Sequence, residues 1–121
     1  MISKREQGRM ERRLIASLTH ACEDAKPLLP GFCWLTHSVD YQRFPDSLVV
    51  TWVFDSDANL ASALKSDAEQ HIHQLTADAL DEAGVDAADI ARHVDLDSEE
   101  ACQRVHGGNW ERRLEARPVK H

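Results

Sequence analysis

Seven histidines and three cysteines carry most of the chemical potential of this 121-residue chain, and their spacing decides what they can do. His71 and His73 are two apart on a segment with helical periodicity, roughly 200° around the helix, so they do not share a ligand face. His93, Asp95 and Asp97 recur at period two, which on a strand lines them up on one face where a hard cation could sit. No second oxygen cluster completes the six or so ligands such an ion takes, and no metal is expected. His20 with Asp24 and His71 with Asp67 have the one-turn spacing of helical surface pairs. His37 could act with Asp40 or Tyr41, but on a regular strand Asp40 points to the opposite side, so His37 reads as a half-buried, satisfied histidine. Cys22, Cys33 and Cys102 are odd in number and contain no C-x-x-C pair, which points to free thiols in a reducing compartment. No nucleophile elbow, phosphate-binding loop or dinucleotide fingerprint occurs. Gly107-Gly108-Asn109-Trp110 would free backbone N–H groups for a ligand, but it reads as a helix stop with Trp110 packed back on the core. The expectation is a protein with no catalytic residue, no metal and no cofactor.

The elements that would position these side chains follow from hydrophobic period and punctuation. Ser3 and Glu6 have capping-box spacing, and Met10, Leu14, Leu18, Ala21 and Ala25 form one helical face, predicting a helix over about 4–26 closed by Pro27, Pro30 and Gly31. Residues 32–41 and 48–54 are rich in aromatic and β-branched side chains, and the Pro-Asp-Ser between them is turn chemistry, so they predict a hairpin. In its first strand Cys33, Leu35, His37, Val39 and Tyr41 form the expected core face, with Phe32, Trp34, Thr36, Ser38 and Asp40 opposite. The second strand is apolar on both sides, so both of its faces are expected to be covered. Asp55-Ser56-Asp57 can cap a second long helix, whose stripe Leu60, Leu64, Ala68, Ile72, Leu75, Ala79 and Ala83 ends at Gly84. Ile90, Val94 and Leu96 predict a third strand, Ser98-Glu99-Glu100 a short helix stopped by Gly107-Gly108, and Trp110 the start of a basic tail. Residues 80–92 also have helix-turn-helix spacing, but residues 86–95 hold three aspartates against Arg92, a poor match to phosphate.

Leu, Ile, Val and Phe make up 27 residues, enough for one modest core and one domain. The net charge of −7 hides an uneven distribution. Residues 1–13 and 104–121 are each +3, which leaves −13 on residues 14–103. The acidic body argues against a nucleic-acid footprint, while the ends keep Arg9, Arg12, Arg13, Arg112 and Arg113 as candidates for phosphate contact. Glu-Arg-Arg-Leu occurs at 11–14 and again at 111–114, too short a match to establish a repeat. No apolar run reaches the roughly 18 residues of a membrane span and residues 1–14 are too charged for a signal-peptide core, so a cytoplasmic protein without membrane contact is expected.

The run Gly31-Phe32-Cys33-Trp34-Leu35-Thr36-His37, with Val39-Asp40-Tyr41, Arg43-Phe44-Pro45-Asp46-Ser47-Leu48, Val53-Phe54-Asp55, Ser98-Glu99-Glu100-Ala101-Cys102 and Gly107-Gly108-Asn109-Trp110, resembles a family of short uncharacterised proteobacterial proteins. Some of its members carry an automated label as Fis-type transcriptional regulators. The resemblance spans most of the chain, implies the same element order and brings no catalytic residue.

Together these readings predict a single α+β domain over 1–121, in the order α-β-β-α-β-α, with a three-stranded sheet carrying two long helices on one face. The second face would be left open, and Trp34, Thr36, Ser38 and Thr51 are its candidate contact residues. The function expected is a non-enzymatic binding or regulatory protein that self-associates or meets a protein partner. The alternative is a nucleic-acid-associated transcriptional regulator acting through its basic ends.

Overall fold

The computed structural model describes residues 3–116. Ser3 caps α1 (Lys4–Ala25), its hydroxyl accepting from the Glu6 N–H at 3.1 Å, and Leu14, Leu18, Ala21 and Ala25 form the buried face. The chain then turns through Gly31 at φ +82° into β1 (Phe32–Ser38). β1 pairs antiparallel with β2 (Val49–Phe54). β1 stops at Ser38, short of the expected Tyr41, because side chains compete for the backbone beyond it. The Asp40 carboxylate accepts from the Gln42 N–H at 3.0 Å, and the Ser47 hydroxyl donates to the Asp40 carbonyl at 2.7 Å, which holds a 3-10 turn at Tyr41–Arg43.

The register shifts between Phe32, opposite Phe54, and Trp34, opposite Val53. This bulge corrects the expected face assignment at the start of the strand. Phe32 rejoins the side of Leu35 and His37, where its ring lies 5.1 Å from Trp52 and 6.0 Å from Phe54, and Cys33 becomes the extra residue.

The expected second long helix is two helices, α2 (Asp57–Lys65) and α3 (Ala68–Glu82). Ser66 separates them: its backbone is extended, and its hydroxyl donates to the Ala63 carbonyl and accepts from the Ala68 N–H, both at 3.1 Å. The break turns Ala63 inward and leaves Leu64 49% exposed, so Leu64 is not part of the core stripe. α3 ends where expected. The Gly84 N–H bonds to Asp81 and the Val85 N–H to Leu80, a closure that needs the left-handed φ of +81° that Gly84 supplies.

A 3-10 turn at Ile90–His93 precedes β3 (Val94–Ser98), which lies parallel to β2 with Val50 opposite Val94 and Phe54 opposite Ser98. The sheet order is β1-β2-β3, with β2 central. A parallel pair requires a long crossover, and α2 with α3 provides it. Between Gly84 and β3 the chain forms a 3-10 turn and no α-helix, so the helix-turn-helix spacing is occupied by a turn and a strand. α4 (Glu99–His106) and α5 (Trp110–Glu115) complete the chain, the latter replacing the expected tail and capped by the Asn109 side chain on the Arg112 N–H at 3.1 Å.

The fold is α+β in the expected order α-β-β-α-β-α, with the second helix divided and α5 added. α1 packs against α3 and β1. This helical layer covers the face that carries Leu35, Val50 and Trp52, and the Trp52 indole donates to the Thr76 hydroxyl of α3 at 3.1 Å. Leu14, Leu48, Val50, Trp52, Phe54 and Ile72 are completely buried there. As the apolar pattern of β2 requires, its other face is covered too: Thr51 and Val53 are buried. No helix among the described residues is long and apolar enough to cross a membrane.

Candidate functional site

The second sheet face was expected to be open, but α4 and α5 close one end of it. Trp110 meets Trp34 edge to face at 4.9 Å, and both indoles donate to Glu99 Oε1, at 2.6 and 3.1 Å. Arg113 reaches from α5 to Asp97 of β3 through two hydrogen bonds, Nε to Oδ2 at 2.6 Å and Nη2 to Oδ1 at 2.8 Å. Its guanidinium also lies 5.9 Å from the Trp110 ring centre and contacts His106 Nδ1 at 3.3 Å. The Asp97 hydrogen bonds outweigh burial and raise the Arg113 pKa further, so the charge is permanent. Beside this clamp, the Ser98 hydroxyl and the Arg104 guanidinium hold the Asp57 carboxyl below its ordinary value, at 2.6 and 2.8 Å.

The candidates for an open face therefore separate. Trp34 is half-buried under Trp110, Thr51 is 2% exposed and lies inside the fold, Thr36 is half-buried and Ser38 is exposed. The basic candidates separate as well. Arg9, Arg12 and Arg13 are exposed on α1 and Arg112 on α5, whereas Arg113 is engaged by Asp97. Arg117 and Lys120, which contribute to the charge of the C-terminal end, lie outside the described residues.

What stays accessible is the edge of the sheet. Among the described residues β1 has β2 on one side only, and Phe32–Ser38 contains no Lys, Arg, Asp, Glu or proline to blunt the edge, which is interrupted only near its start by the bulge at Cys33. Beside it runs a groove of about 400 Å³ between α1 and β1, lined by Ile15, Leu18, Cys22, Leu35, Thr36 and His37 among others. Ile15 is 52% exposed at its rim.

A polar network fastens one end of the groove. Glu11 of α1 bonds the His37 ring through Oε1 and accepts from the Tyr41 hydroxyl through Oε2 at 2.7 Å. Burial pushes the Glu11 carboxyl up, but the Tyr41 hydroxyl and His37 outweigh it and hold it below its ordinary value. Burial and the same carboxylate push the Tyr41 phenol up. His37 is half-buried and satisfied, as expected, but by Glu11 and not by Asp40. Glu11 is the residue that sequence reasoning missed. It lies 26 and 30 positions from its partners, and no local pattern announces a contact made only when α1 docks on β1.

Cys22 shares the groove with His37, which raises the question of a thiol activated by the Glu11–His37 pair. Eleven positions separate Glu11 from Cys22 on α1, about 16 Å at 1.5 Å per residue, far beyond hydrogen-bond reach. The other thiols are held protonated. Burial and then the nearby Asp55 and Glu99 carboxylates raise Cys33, and burial raises Cys102. His93 does not join Asp95 and Asp97 on the strand; it sits in the preceding turn, buried, with Nδ1 2.7 Å from the Leu48 carbonyl. Among the described residues no group of three or more His, Cys, Asp or Glu side chains could hold a metal ion. His20 lies 3.6 Å from Glu82 of α3 instead of pairing with Asp24.

No family model, curated protein or solved structure matches this chain.

Proposed function

We propose that this protein is a non-enzymatic binding or regulatory protein of a reducing, cytoplasmic compartment, and that it works by protein–protein association along the free edge of β1. One observation carries this reading: an edge strand free of Lys, Arg, Asp, Glu and proline lies beside a groove of mixed lining, in which Leu18 and Leu35 are joined by Glu23 and Lys26 and whose rim residue Ile15 is half exposed. Edge N–H and C=O groups are a template for another strand, and the groove supplies apolar area to hold it. The association surface thus moves from the sheet face to the sheet edge, because Trp110 and Arg113 have taken the Trp34 end of the face. Thr36 and Ser38 remain part of it; Thr51 does not.

The reading is tested by comparing the proteins retained by the wild-type chain with those retained by the variant Ile15→Lys/Thr36→Lys, which charges the rim and the edge. Partners retained by the wild type and lost by the folded variant are the expected result. Identical sets with both would remove the edge as the binding surface. The second reading, a nucleic-acid-associated regulator, is favoured by the exposure of Arg9, Arg12 and Arg13 close together on α1, with Arg112 as the exposed arginine of α5.

A further inference from the structure

The partner at the β1 edge can be named from the pattern of α1. Arg12, Ala16, Thr19 and Glu23 are all exposed and recur at steps of four, three and four, which places them in one stripe along the helix. Thr19 and Glu23 also line the groove, so this part of the stripe borders the β1 side of α1, while Arg12 and Ala16 continue it on the exposed surface of the helix. Read in either direction the stripe is a charge, two small residues and the opposite charge. Two copies of α1 placed antiparallel about an axis between residues 17 and 18 put Arg12 opposite Glu23 of the second copy, and Ala16 opposite its Thr19. The two-fold makes each contact twice, as an isologous interface requires, and the small residues let the helices approach closely.

The strand has its midpoint beside the same groove. β1 spans Phe32–Ser38, with Leu35 at its midpoint, and Leu35 lines the groove together with Leu18 of α1. An antiparallel β1–β1 pair centred on Leu35 has its axis beside the groove that Leu18, next to the midpoint of the α1 stripe, also lines. Ile15 meets the second copy beside that axis. We infer that the partner at the β1 edge is a second copy of this chain, joined antiparallel through β1 and α1 into a continuous six-stranded sheet. This inference rests on the edge reading above and specifies its partner. The edge hydrogen bonds and Ile15 supply the attraction; the Arg12 to Glu23 pairs, exposed at the rim, set the direction and register.

Sedimentation equilibrium on the full chain tests it, from about 10 μM to 1 mM, the range in which an association of micromolar strength is resolved. A dimer is expected for the wild type. Arg12→Glu or Glu23→Arg alone should weaken it about tenfold, since each change turns two attractions into two repulsions, and the double variant should recover to within about threefold of wild type. All of these positions are exposed, and far-ultraviolet circular dichroism checks that each variant is folded. A monomer throughout the range overturns the second-copy inference, as does a dimer that ignores the single changes or whose two losses simply add in the double variant. The edge reading is judged separately. If the chain is monomeric yet still loses its retained partners on Ile15→Lys/Thr36→Lys, the edge stands and only the second copy falls; if both results are negative, both fall.

Discussion

Arg113 is the side chain whose role changed most between the linear chain and the fold. By composition it belongs to a basic end and a phosphate surface; in three dimensions its fork is matched to the Asp97 carboxylate at 2.6 and 2.8 Å. The Arg113 and Asp97 side chains are 16% and 5% exposed, so solvent screens the pair weakly. Removing Arg113 takes the matched cation from a buried carboxylate, and breaking such pairs costs about 3–5 kcal/mol. Arg113→Ala is therefore expected to lower unfolding stability by that order in urea titrations, and Arg113→Lys to recover little, because an ammonium cannot make the two parallel bonds. A loss below about 1 kcal/mol for Arg113→Ala, the scale of an exposed surface pair, would show that the clamp does not hold α5. His37 teaches the complementary lesson. Its half-buried, satisfied character was legible from its place on an apolar strand face, but its partner Glu11 was not, since the pairing depends on how α1 crosses β1.

Among the elements, those with a strong period or a capping residue were legible and those governed by a competing side chain were not. α1 and its Ser3 cap, the hairpin and the stop at Gly84 follow from local rules. The division of α2 from α3 does not: Ser66 interrupts a continuous apolar stripe by bonding Ala63 and Ala68, and serine carries no fixed signal for doing so. The bulge at the start of β1 was equally hidden, since a slip of one residue exchanges the faces of Phe32 and Cys33 without altering composition. The join between α1 and β1 can be tested. Gly31 has φ +82°, and a Cβ there would lie 2.5 Å from Asn59 Nδ2 and 2.7 Å from Asn59 Cβ. The Asn59 amide in turn donates to Asp55 at 2.8 Å. Gly31→Ala should cost roughly 1–3 kcal/mol in thermal or urea unfolding, through the left-handed conformation and the displaced side chain. Unchanged stability would mean that this turn relaxes freely.

For the whole molecule, charge distribution and sheet topology decide which partners are compatible. The basic surface that remains accessible is led by Arg9, Arg12 and Arg13 on a chain of net charge −7, and the proposed dimer would also engage Arg12. Mobility-shift titration with duplex DNA at low and moderate salt is therefore expected to show at most weak retardation that vanishes as salt rises. Retardation that persists at moderate salt and is lost on Arg9→Glu/Arg13→Glu would favour the nucleic-acid reading. By itself the sequence determined the α+β class, the order of elements, both ends of α1, the C-terminal end of α3 and the burial of β2 on both faces, because period, caps and turn residues act over a few neighbours. Only the tertiary structure decided that β3 pairs with β2, that α5 closes over Trp34, that Glu11 meets His37 and that β1 is left as a free edge beside the groove. Those are contacts between segments tens of residues apart, and they are set by how the layers fill space together, which no local window contains.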